Sequence, residues 1–110
     1  MTADSLDFFK IIVEKGDLHP NFKRVLVPHK EVERQEFLSW AKGMVDRDGK
    51  LVQEFQTTFN STFWEVYLNG VFNYYNFDID WSYSSPDFLI RTGSQDVIVE
   101  AVTALSLIHI

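Results

Sequence analysis

Apolar side chains recur at helix-like spacings in residues 30–45 and 62–75, and from residue 77 the spacing turns to that of strands. Residues 5–15 (SLDFFKIIVEK) carry apolar groups at mixed intervals and are expected to form a short helix. Gly16, Asp17, Pro20 and Asn21 mark an irregular stretch. Residues 22–28 (FKRVLVP) suggest a short strand or extended approach, ended by Pro28. In residues 30–45, Phe37, Trp40, Ala41, Met44 and Val45 fall on one face, which predicts a helix behind a charged, solvated start. The segment DRDG (46–49) predicts a turn, with Gly49 free to take a positive φ. Residues 62–75 carry the strongest helix pattern. Thr62 and Glu65 match a T-x-x-E capping box. Apolar residues from Phe63 to Tyr75 cover most of the circumference, which predicts burial on more than one side, across a sheet.

Three strands are expected after that helix. Phe77–Ser82 alternates apolar and polar positions. Pro86–Arg91 forms the second strand, and TGSQD (92–96) turns the chain into the third, Asp96–Thr103. The nearly continuous run Val97, Ile98, Val99, Ala101, Val102 predicts a strand buried on both faces. The expected fold is therefore α/β in the α+β sense. N-terminal helices lead to a three-stranded mixed or antiparallel sheet packed on a long apolar helix. The chain is expected to be one domain or the N-terminal fragment of one, with 1–46 helical and 60–103 carrying the helix and strands. The apolar ending ALSLIHI suggests truncation or a non-native tail.

Composition narrows the chemistry. The 110 residues suffice for one modest core, and 15% of them are aromatic. No cysteine is present, which excludes disulfides and a thiolate zinc site and fits a reducing cytoplasm. No signal-peptide pattern and no membrane-length apolar run are visible, so no membrane partner is expected. The net charge of −6 weighs against gripping nucleic acid by bulk charge.

Against this background the pair Asp87 and Glu100 stands out. Glu100 interrupts the run VIVEAV, and a lone buried carboxylate costs several kcal/mol, roughly, unless it is paired or binds metal. If the two strands form a hairpin, both carboxylates meet at one end of the sheet and suit Mg²⁺ (or Mn²⁺), which takes one or two protein carboxylates and keeps its waters. The structural alternative makes Asp87 a strand-edge residue and pairs Glu100 with Arg91 or solvent. Glu65 shares a stripe with Asn69, Asn73 and Asn76. It is either a third carboxylate for the site or part of the helix's solvent face. An EF-hand is excluded, because position six after Gly49 is Phe55 and the first ligand position would be Met44.

The order of a Glu-bearing helix, a strand, SPDFLI and then VIVEA resembles the PD-(D/E)xK superfamily of restriction-endonuclease-like nucleases, over residues 60–103. The resemblance implies a truncated core of that fold and Mg²⁺-dependent phosphodiester hydrolysis of DNA. It makes Asp87 and Glu100 the metal ligands and Glu65 a catalytic accessory. The family's lysine would fall at position 102, where this chain has Val102. Lys50 and Arg91 are the basic residues that could take its place. Two rival expectations remain: a non-catalytic α/β interaction domain, and a structural fragment that forms a homodimer through an open sheet edge.

Overall fold

The computed structural model describes residues 2–103. Its α-helices are α1 (Pro20–Val25), α2 (Glu31–Trp40), α3 (Leu51–Thr57) and α4 (Phe59–Tyr74). Its strands, β1 (Asp78–Ile79), β2 (Phe88–Arg91) and β3 (Asp96–Val99), form one antiparallel sheet in the order β1-β2-β3. The fold is mixed α+β. The apolar tail 104–110 lies outside the described residues. Among the described residues, no helix is long and apolar enough to cross a membrane.

The N-terminal segment departs from its expected helix. After a 3₁₀ turn at Ala3–Ser5 it runs irregularly, because its main chain bonds to a side chain. Gln56, with no exposed surface, donates from Nε2 to the carbonyls of Phe8 (3.2 Å) and Lys10 (2.7 Å). Its Oε1 accepts from the Ile12 amide at 3.0 Å. These bonds serve groups that a helix would have used itself. They also hold Phe8 in the core while Ile11 and Ile12 face out.

The stretch expected to extend as 22–28 is instead helical. His19 Nδ1 accepts from the Asn21 amide at 3.0 Å, and Pro20 occupies the first turn, so the helix start is capped and preset. Phe22 then packs edge-on against Phe55 at 5.5 Å. Helix α2 ends at Trp40, earlier than expected. Residues 46–49 do turn, with Gly49 at φ 75°. Helix α3 was not anticipated, although Leu51, Phe55 and Phe59 fall on one face with α4.

Helix α4 starts at Phe59, so Thr62 lies inside it and the expected capping box is absent. The polar stripe is a solvent face only at its C-terminal end, where Asn73 and Asn76 are exposed; Glu65 is half-buried. Asn69 is 1% exposed and donates to the carbonyls of Trp40 (2.7 Å) and Lys42 (3.0 Å). Asn73 donates to Lys42 as well, at 2.9 Å. The stripe therefore satisfies carbonyls that the end of α2 leaves unpaired. Trp64, Tyr67, Tyr74 and Tyr75 are exposed as well, although apolar. Asn76, at φ 59°, ends the helix. Its amide bonds to the carbonyl of Asn73 and that of Phe77 to Phe72, a Schellman closure.

Two apolar clusters result. The larger joins Phe8, Phe22, Phe37, Phe55 and Phe59, each worth about 2 kcal/mol on burial. The smaller joins Phe72, Phe88 and Ile90 under the sheet. Trp81 touches both. The sheet itself is slighter than expected. The first strand is reduced to Asp78–Ile79, because the Asp80 carboxylate accepts from the Ser82 amide and from Arg91, at 2.7 Å, and turns the chain away. Strand β3 is not buried on both faces: β2 is central, and Ile98 on β3 is 66% exposed.

Two substitutions test this packing. Gln56→Ala strands the main-chain groups of residues 8–12, and urea unfolding is expected to show a loss of about 3 kcal/mol. At Gly70 a methyl would lie 2.8 Å from Cβ of Trp40. Gly70→Ala is therefore expected to destabilise by about 1–3 kcal/mol, although alanine is the better helix former. A raised Tm in that variant would contradict the close α2–α4 crossing.

Candidate functional site

The acidic residues converge where the loop 44–48, the start of α3, the middle of α4 and the head of β2 meet. The cleft there has a volume of about 280 Å³. Asp46, Asp48, Glu54, Glu65 and Asp87 line it, with Arg47 as its one basic lining residue.

Each group is placed by local structure. Asp46 Oδ1 accepts from the Leu51 amide at 3.2 Å, and Asp48 Oδ1 accepts from the Lys50 amide at 3.1 Å. Both bonds tie the turn to the first turn of α3, where unpaired amides welcome negative charge. Asp87 precedes β2, and its Oδ2 accepts from the Ala101 amide at 2.9 Å, beyond the end of β3. That bond extends the β2–β3 ladder by a side chain. Arg47 spans the cleft to the residues before β2. Its guanidinium donates to the carbonyls of Tyr83, Pro86 (3.2 Å) and Asp87 (3.3 Å), and lies 5.4 Å from the ring centre of Trp81.

The sequence-derived residues separate here. Glu65 and Asp87 line the same cleft. Glu100 does not line it. Val99 and Ala101 pack against the sheet's core, so the side chain between them projects from the other face, where Glu100 is exposed. Arg91, the partner once expected for Glu100, binds Asp80 and Asp96 instead. Lys50 does not line the cleft. Arg47, Asp46, Asp48 and Glu54 were not singled out by the sequence reading. The DRDG turn held three of them in plain view, but it could be tested only against a calcium-loop pattern that it fails.

The crowding of like charge shows in Glu65. Burial pushes its carboxyl up to about 7, and the charges of Asp87, Glu54 and Asp48 push the same way against Arg47. Glu54 is also raised, first by burial and then by Asp48. Among the described residues, no three carboxylates or histidines draw together closely enough to hold a metal ion. Two hard oxygen donors with retained waters still fit Mg²⁺, and Glu65 and Asp87 offer that donor set. In comparisons with known proteins, no family model, curated protein or solved structure matches the chain.

The Glu65 shift fixes a pH dependence. Below its ordinary value of 4.5 the carboxyl is protonated in both folded and unfolded chains. Between 4.5 and about 7 the unfolded chain ionises first, so stability falls as pH rises, and the loss is complete above about 7. Glu65→Gln is expected to match the parent near pH 4 and to exceed its stability near pH 8 by at most about 3 kcal/mol. Denaturant titrations at the two pH values would decide it, since an equal difference at both would mean Glu65 is not strained by its surroundings.

Proposed function

We propose that this chain is a Mg²⁺-dependent (or Mn²⁺-dependent) phosphodiesterase of the PD-(D/E)xK kind that acts on DNA in the cytoplasm. The observation that carries this reading is the meeting of Glu65 from α4 and Asp87 from the head of β2 in one cleft with Arg47. Of the three carboxylates that the resemblance names, the accessory Glu65 and the ligand Asp87 share the cleft, and the second ligand, Glu100, does not. The absence of cysteine from the sequence supports the cytoplasmic part of the proposal.

The roles follow from the surroundings. Asp87, whose Oδ2 accepts from the Ala101 amide, would be the principal residue to hold the metal. Glu65, which titrates near 7, holds or releases a proton at neutral pH beside the attacking water. When bound, the divalent ion would lower the pKa of that water and offset phosphoryl charge. Arg47 supplies fixed positive charge in the cleft, and Val102, at the sequence position of the family's lysine, does not line it. Glu100 has no part in this arrangement. A second reading, a non-catalytic interaction domain, is favoured by the outward placement of Glu100 and by Val102.

The two readings differ in a metal titration. Calorimetry with Mg²⁺ and Mn²⁺ is expected to show binding to the parent and to Glu100→Gln. Binding should be lost in Asp87→Asn and weakened in Glu65→Gln, with plasmid cleavage following the same order. If a variant combining Asp87→Asn with Glu65→Gln binds metal as the parent does, or the parent binds none, the nuclease reading fails and the interaction domain stands.

A further inference from the structure

Rings lie open along the outer face of α4. Trp64, Tyr67, Tyr74, Tyr75 and, just past the helix, Phe77 are each between 38% and 79% exposed. They stack in two groups, Trp64 on Tyr67 at 5.7 Å and Tyr75 on Phe77 at 6.0 Å. Together they leave roughly 500 Å² of aromatic surface in water. Single exposed rings are ordinary, but a patch of this size is often functional.

Beside these rings lies a hollow of about 660 Å³. Gly70 and Val71 line it on α4, flanked by Tyr67 and Tyr74, and Ser39 and Trp40 line it on α2. Gly70 lets α2 come close there, so the depression is built into the helix crossing. Trp64 stands one turn ahead of Tyr67 on the same face. One face therefore carries both a knob and a hole, which is what two copies related by a twofold axis require. The spacing agrees: Trp64, Tyr67, Val71 and Tyr74 recur at intervals of three and four, the seam of side-by-side helices. Charge narrows the occupant. Stacked rings also serve single-stranded nucleic acid, but beside basic groups, and α4 has no Lys or Arg. Glu65, the helix's one charged residue, lines the acidic cleft instead. The rings thus form an uncharged face on a chain of net charge −6, and such a face is where two like-charged copies can meet.

We propose that this face joins two copies of the chain, with α4 packed antiparallel on α4. A crossing at Tyr67 and Leu68 sets residues 64 and 71 opposite one another, so Trp64 of each copy enters the hollow of the other. The two faces together bury roughly 1,000 Å², the lower bound for a specific interface. Association is therefore micromolar rather than tight. The hollow shares no lining residue with the acidic cleft, so pairing leaves that cleft open.

Sedimentation equilibrium from micromolar to millimolar protein is expected to show a monomer–dimer equilibrium that tightens as salt screens the net charge. Tyr74→Glu places a carboxylate at the most exposed ring of the patch, and Ser39→Arg fills the hollow from α2. Each should weaken the dimer at least about tenfold, with the far-UV circular dichroism of dilute protein unchanged. Ile98→Lys, on the edge strand β3, should leave the dimer as it is. In NMR spectra the Trp64 indole resonance is expected to move with protein concentration and that of Trp81 to stay. The proposal is overturned if the parent is monomeric throughout, if Ile98→Lys dissociates the dimer, or if both patch variants pair as the parent does. It is equally overturned if oligothymidylate moves the Trp64 indole and protein concentration does not.

Discussion

The guanidinium of Arg47 is the joint on which the two halves of the molecule turn. It leaves the turn between α2 and α3, lies against Trp81, and donates to three carbonyls in the residues that lead into β2. Hydrogen bonds from a charged donor are worth about 1.5–3 kcal/mol each, so this residue contributes far more than an exposed ion pair. Trp81 packs against both apolar clusters, and Arg47 therefore fixes where the sheet sits against the helices. The acidic cleft follows from that placement, because only the docked sheet brings Asp87 to α4.

Inside the helical half, rigidity comes from two buried amides among the rings. Gln56 gathers the irregular N-terminal segment, and Asn69 closes the end of α2. Gln56 is paired through both its nitrogen and its oxygen, and Asn69 through both donors of its nitrogen, which is the condition under which a buried polar group stabilises rather than costs. Hydrocarbon contact alone would let Phe8 or Phe22 settle in several ways. The amides select one of them, since any other arrangement strands donors and acceptors away from water.

What the sequence disclosed divides along the same line. Helices with a one-sided apolar face, α2 and α4, were legible, as were the Gly49 turn and the hairpin through residues 92–96. The failures have physical causes. The helix expected at 5–15 lost to side-chain bonds from Gln56, forty residues and more away. The strand expected at 22–28 lost to a cap at His19 and to the packing of Phe22. On α4, Asn69 turned inward because it had carbonyls to satisfy, which no apolar count can foresee. Glu65 and Asp87 were visible as unusual carboxylates. Their company of Asp46, Asp48 and Glu54 was hidden, because nothing local links a turn to a distant helix face.

The open side of β3 has a further consequence. Among the described residues it has no neighbouring strand, and Val97 and Ile98 are exposed there, the kind of edge on which strands of different molecules add to one another. Asp96 begins that strand and Glu100 follows it, one carboxylate at each end. Asp96 is paired with Arg91, so Glu100, exposed, is the carboxylate that a second strand laid alongside would meet. A charge so placed disfavours strand addition at that edge, independent of any chemistry in the cleft.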